Sequence, residues 1–153
     1  MKDYNALYEK ARAIAERAHK GQKDKGGREY ILHPIAVSSM CQSKEAKVVA
    51  LLHDVLEDSD LSPEDLLREG IPGEIVEVVL LLTKKAGYDR DAYIRRIAEH
   101  PVAREVKMAD LMHNMDPHRD ILPEYAEGMK EYRKRYQREY DFLKAFPEND
   151  PEV

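Results

Sequence analysis

Cysteine is almost absent from this sequence. Cys41 is the only one, so no intrachain disulfide can form. With no secretory h-region after Met1-Lys2-Asp3-Tyr4, a reducing cytoplasmic setting is expected. Long apolar runs are missing too. The longest, residues 48–52 and 78–82, fall far short of the roughly 20 residues that span a bilayer, which excludes a membrane-spanning helix. Nor is there an excess of positive charge. Lys and Arg number 25 against 30 Asp and Glu, for a net charge of −5 and a pI near 5.7. That balance argues against nucleic-acid binding through a broad basic surface. It leaves room for a small phosphate ligand held by a few local cations. No internal repeat, low-complexity stretch or long linker interrupts the chain.

What is present is a globular chain of 153 residues, 42% hydrophobic and 36% charged. At this length a single domain buries about 68–70% of the unfolded surface. It is expected to fill residues 1–146, with residues 147–153 as a frayed tail. The fold class expected is all-α, because no segment sustains period-two alternation between hairpin turns. Asp3 caps a helix to about residue 19, ended by Gly21. A polar glycine-bearing loop follows, and His33-Pro34 starts a short helix to about 40. Ser43 caps a longer helix predicted to run unbroken to about Asp58. Ser62-Pro63-Glu64-Asp65 is a strong start signal, and Gly70 ends that helix. Pro72, Asp89, Pro101 and Pro123 begin helices to about residues 83, 99, 115 and 143. The last is rich in tyrosine and charge and offers a surface for a homo-oligomer.

Two helices place ionisable groups where apolar ones belong. In the helix from Pro101, the residues Val102, Val106 and Ala109 share a face, and Asp110 and His113 project into or beside it. With Met108, Leu111, Met112 and Met115 the helix is apolar nearly all round, the pattern of a buried helix. A buried carboxylate costs several kcal/mol unless it is paired or binds a metal. In the helix from Ser43, the pairs His53/Glu57 and Asp54/Asp58 stack at four-residue spacing. No lysine or arginine lies between residues 48 and 67 to neutralise this acidic cluster. Taken singly, these residues have plainer readings. The acids read as a solvated helix face, His33 as a loop or cap residue, His53 as a satisfied core histidine and His113 as a donor to a backbone carbonyl. Cys41 reads as a small core residue and the late tyrosines as packing. Taken together, His33, His53, Asp54 and Asp110 are two imidazoles and two carboxylates, a set suited to an octahedral ion such as Mn²⁺ or Fe²⁺ with open positions.

Three segments carry a resemblance. They are Ala18-His19-Lys20-Gly21-Gln22 leading to Tyr30-Ile31-Leu32-His33-Pro34, then Ala50-Leu51-Leu52-His53-Asp54-Val55-Leu56-Glu57-Asp58, then Val106-Lys107-Met108-Ala109-Asp110-Leu111-Met112-His113-Asn114-Met115. In order and spacing the chain resembles the HD-domain metal-dependent phosphohydrolases, most of all the hydrolase domain of the RelA/SpoT family and the small alarmone hydrolases. The resemblance implies that His33, His53, Asp54 and Asp110 ligate one metal, usually Mn²⁺. It implies that Glu57 and Asp58 orient or deprotonate the attacking water, and that Lys25 and Asn114 contact the nucleotide, with Arg28 and Lys107 as further cations for its phosphates. The implied reaction removes pyrophosphate from the 3′ position of guanosine tetra- or pentaphosphate. The chain departs from the pattern at Asp24, where an arginine is usual, at Gly26, where a serine is frequent, and at Leu111 and Asp116, where arginines are common. Another nucleotide substrate for a phosphohydrolase or monoesterase, or a non-catalytic nucleotide sensor, are the alternative readings.

Overall fold

The structure is a computed structural model and describes residues 2–147. Among them are nine helices and no strand beyond one isolated bridge between Lys23 and Glu29. The helices are α1 (Tyr4–Ala18), α2 (Leu32–Met40), α3 (Lys44–Leu52), α4 (Val55–Asp58), α5 (Pro63–Arg68), α6 (Gly73–Leu82), α7 (Arg90–Glu99), α8 (Pro101–Met115) and α9 (Pro123–Ala145). The chain is all-α, as its patterning indicates. None of the described helices is long and apolar enough to cross a membrane. The expected tail at 147–153 lies, from residue 148 on, outside the described residues.

The helix starts follow the local chemistry. Asp3 accepts the N–H of Ala6 at 3.1 Å, and Asp89 accepts that of Ala92 at 3.1 Å. Ser62 and Asp65 form a reciprocal capping box ahead of α5. At α8, Pro101 occupies the first turn and the His100 ring accepts the N–H of Ala103 at 3.3 Å. Helix α3 is the hub. Val48, Val49, Ala50, Leu51 and Leu52 are all buried, and α1, α2, α6 and α8 pack around it. Past Lys47 the helix has no polar face, and a segment of this kind is stable only inside a bundle.

Two sequence expectations are corrected. The helix from Ser43 does not run unbroken to Asp58. It stops at Leu52, and His53-Asp54 form a turn before the short α4. The His53 ring donates to the carbonyl of Ala50 at 2.6 Å, and the Asp54 carboxylate is drawn to the hydroxyl of Tyr30. Side-chain bonding to nearby groups thus competes with the helical ladder. Nor is α8 buried all round. Leu111 has no exposed surface while the adjacent Met112 is 46% exposed, so α8 keeps one face to solvent.

The α1–α2 connection is latched to the α8–α9 connection. The Leu122 N–H donates to the Lys25 carbonyl at 2.7 Å, Arg28 pairs with Asp120 at 2.6 Å, and Arg119 pairs with Asp24 at 3.2 Å. Gly26 sits so close that an added Cβ would overlap the Asp120 carbonyl oxygen, which accounts for a glycine at this position.

The two neighbours on α8 give a direct check of the packing. Leu111→Ala is expected to cost about 2–5 kcal/mol, whereas Met112→Ala is expected to stay within about 0.5 kcal/mol. Urea denaturation of both variants reads the difference.

Candidate metal centre

Three elements converge on one point. Helix α2 brings His33, the α3–α4 turn brings His53 and Asp54, and α8 brings Asp110. One donor atom each of His33, His53 and Asp54 lie within 4.8 Å of one another. The Asp110 Oδ1 adjoins them, 2.8 Å from His33 Nε2 and 3.5 Å from His53 Nε2. The four widely separated residues singled out from the sequence are therefore brought together.

The donors are also pre-oriented. His53 Nδ1 donates to the Ala50 carbonyl, which turns Nε2 toward the acids. That nitrogen lies 3.1 Å from Asp54 Oδ2, yet it is buried and has no hydrogen-bond partner among the described residues. His33 Nδ1 faces His113 Nδ1 at 2.7 Å, and the two rings stack at 5.0 Å. Burial and the neighbouring His33 push the pKa of His113 down to about 4, so His113 stands as a neutral ring against the outer nitrogen of His33. His33 Nε2 is turned the other way, 2.8 Å from Asp110 Oδ1, where a divalent ion would take the place of the proton the two share. Tyr30 donates to Asp54 Oδ2. Lys107, only 5% exposed, donates to Asp110 Oδ2 at 2.9 Å.

The electrostatics fit a cation. Burial opposes charge on His53, but Asp54 and Asp110 more than reverse this and raise its pKa well above the ordinary range. Burial likewise opposes ionisation of Asp110, yet Lys107, His33 and His53 hold its carboxyl well below the usual range. Two acids beside two imidazoles thus favour positive charge at this point, and a divalent ion would engage the otherwise unpartnered His53 Nε2. Two imidazoles and two carboxylates without a thiolate suit an octahedral divalent ion, and the donor set does not single out one metal.

No protein-family profile matches the chain. Individual relatives do. A Streptomyces antibioticus protein named GTP pyrophosphokinase is 36% identical over 131 residues, 78% of this chain and 16% of that protein. A Haemophilus influenzae guanosine-3′,5′-bis(diphosphate) 3′-pyrophosphohydrolase is 36% identical over 116 residues, 67% of this chain and 17% of its own. The chain belongs with the RelA/SpoT hydrolase-like HD-domain proteins. It spans less than a fifth of the length of these curated relatives. A solved structure of a metazoan SpoT ortholog superposes with a TM-score of 0.75 at 23% identity, over 94% of this chain and 89% of that one, a likeness of fold.

In this HD-domain protein the centre opens into a cavity of about 460 Å³, a size common for small-molecule sites. Glu57 and Asp58 both line it. One oxygen of Glu57 accepts the backbone N–H of Lys84, and the Lys84 ammonium is 3.9 Å from the other. Burial raises the pKa of Glu57 and, with Asp54, that of Asp58. Of the expected phosphate contacts, Lys25 and Asn114 line the cavity. The Lys25 ammonium rests on the Tyr132 ring, 4.2 Å from its centroid. Asn114 donates to Asp110 at 3.3 Å and accepts from Arg119 at 3.2 Å. Lys107 reaches the cavity wall but commits its ammonium to Asp110. Arg28 is not among the lining residues and faces Asp120 instead.

Several site residues escaped the sequence reading: Tyr30, Lys84, His113 in its role beside His33, and Arg119. Tyr30 and His113 stand three residues from His33 and Asp110, one helical turn away, which was the available signal. Lys84 and Arg119 carry none, since each reaches its partner through a long-range approach.

Adding Mn²⁺ at about 100 times its Kd is expected to stabilise the protein by about 2.7 kcal/mol. The rise in Tm should vanish in His53→Ala. An equal rise in that variant would place the ion elsewhere.

Proposed function

We propose that this protein is a metal-dependent guanosine-3′,5′-bis(diphosphate) 3′-pyrophosphohydrolase, using Mn²⁺ or a similar divalent ion such as Fe²⁺ and acting in the cytoplasm on a small nucleotide rather than on nucleic acid. The observation that carries this reading is the convergence of His33, His53, Asp54 and Asp110 at the wall of a cavity that Glu57 and Asp58 also line. Relatives named as hydrolases of this nucleotide support the substrate. An ion held by the four residues supplies positive charge to the phosphates and lowers the pKa of water bound to it.

The chain's own residues supply the rest. Glu57, fixed through one oxygen by the Lys84 N–H, has only the Lys84 ammonium at 3.9 Å beside its second oxygen, which takes a proton from the attacking water. Among the described residues no hydrogen bond or ion pair engages the Asp58 carboxylate, which lines the cavity and stands ready to orient that water. Lys25 has no carboxylate partner among the described residues and offers its charge to the substrate phosphates. Asn114 has one amide hydrogen left for the nucleotide after serving Asp110. Lys107 acts through Asp110, and Arg28, held by Asp120, contributes to the potential at the loop rather than to a contact.

One observation supports a second reading in which the nucleotide differs. Asp24 accepts the N–H groups of Gly26 and Arg28 and the guanidinium of Arg119. Burial opposes its ionisation, but these donors hold its carboxyl below the usual range. Position 24 is therefore an anchor for the loop and presents no guanidinium for stacking on a base.

With Mn²⁺ present, the protein is expected to release pyrophosphate from guanosine tetraphosphate. Glu57→Gln and Asp58→Asn should each lower kcat by about 10²–10⁴-fold with the metal content unchanged, and His53→Ala should lose both activity and metal. Elemental analysis and a phosphate-release assay over mono-, di-, tri- and tetraphosphates check this. Preference for a 5′-monophosphate would replace the reading with that of a nucleotide monoesterase, and binding without turnover would make the domain a sensor.

A further inference from the structure

His19 and Gln22 lie in the first of the three similar segments, yet neither lines the cavity nor belongs to the ligand cluster. His19 follows α1 and is only 1% exposed. The Gln22 carboxamide Nε2 lies 3.2 Å from the Ala18 carbonyl and 2.7 Å from the Asp58 carbonyl. Two carbonyl oxygens demand two donors, so the NH₂ group must face them and both its hydrogens are used. The amide oxygen then faces His19 Nδ1 at 2.9 Å. Since that oxygen can only accept, Nδ1 must carry the imidazole proton. Nε2, on the far side of the ring, is a buried nitrogen without a hydrogen-bond partner among the described residues.

The other end of the chain of contacts is the α4 segment. Asp58 closes this four-residue helix, whose last carbonyls have no partner within so short an element. Gln22 supplies one from a residue 36 positions away. The His19 ring packs against Tyr30, 4.8 Å between centroids, and Tyr30 in turn donates to Asp54. One connection thus grips both sides of the turn that carries a ligand and the acid pair.

We propose that His19 and Gln22 are positioning residues for the reaction. The His19–Gln22 pair clamps the main chain at Asp58 and so fixes where the Asp58 and Glu57 carboxylates stand relative to Asp54. This rests on the hydrolytic reading of the site. The clamp needs a donor at the Nδ1 position of residue 19 and a donor from residue 22, and it needs nothing from His19 Nε2. Outer residues that orient a metal site's inner groups typically contribute about 10–100-fold to activity or affinity.

The test uses the full chain loaded with Mn²⁺ and guanosine tetraphosphate as substrate. Gln22→Ala, Gln22→Glu and His19→Ala are each expected to lower kcat by about 10–100-fold, with KM and Mn²⁺ affinity by electron paramagnetic resonance unchanged. Glutamate matches glutamine in shape but cannot donate to the two carbonyls. His19→Asn keeps an N–H near the Nδ1 position and should recover most of kcat. Long-range ¹⁵N spectra of the histidines, which need no turnover, should show the Nδ1–H tautomer at His19. Unchanged kcat, a parallel loss of Mn²⁺ affinity, no recovery in His19→Asn, or an Nε2–H tautomer would each overturn the clamp. If the wild-type protein releases no pyrophosphate, the hydrolytic reading fails. The tautomer, and amide exchange over residues 55–59 in wild type against Gln22→Glu, then decide the clamp without it.

Discussion

Two carboxylates, Asp54 and Asp110, stand buried beside two imidazoles, and most of the surrounding structure answers to that fact. Charge removed from water costs several kcal/mol per ion unless geometry compensates it. Here each acid has its own support. Asp110 receives Lys107, Asn114 and His33, and Asp54 receives Tyr30 and lies beside His53. Lys107 shows how tightly this is drawn. A lysine ammonium is almost never buried, and this one is, because a single carboxylate three residues along α8 holds it. Removing Asp110 would leave the Lys107 ammonium buried without an acid to hold it.

The same constraint shapes the backbone. A continuous helix through His53 and Asp54 would have put both side chains on a regular 100° progression. The turn instead lets His53 reach back to Ala50 and lets Asp54 face Tyr30. The lost ladder bonds are recovered by side chains, including Ser59 Oγ to the Val55 carbonyl at 2.7 Å and Gln22 to that of Asp58. The site is thus built at a helix break whose stability is borrowed from neighbouring segments.

That explains which features could be read from the chain. Helix starts at Asp3, Ser62-Pro63, Asp89, Pro101 and Pro123 are local chemistry and appear where the residues announce them. The convergence of His33, His53, Asp54 and Asp110 was also legible, because ionisable groups on apolar faces are costly without a common purpose. The break at residues 53–54 was not, since Leu51 to Asp58 contains no glycine or proline and the interruption is imposed by tertiary contacts. Exposure of Met112 was hidden for a related reason. Apolar residues covering every face suggest burial, but a soluble surface tolerates single apolar side chains. Arg119 and Asp24 are 95 positions apart, and no periodicity links them.

The pairing of Asp24 with Arg119 changes what the cavity can be asked to recognise. As a free acid, Asp24 would repel a polyphosphate. Held by three donors, it is part of the wall, and its charge is cancelled where the substrate would approach. Lys25, one residue on, has no carboxylate partner among the described residues and leans on an α9 tyrosine instead. The tyrosine-rich helix is therefore more than packing. Tyr125 and Tyr136 line the cavity, and Tyr132 carries the lysine. On the proposed function, phosphate attraction at this edge comes from a lysine presented by an aromatic face. Its charge stays available because no carboxylate among the described residues competes for it, and α9 becomes a wall of the site as well as a cover for α8.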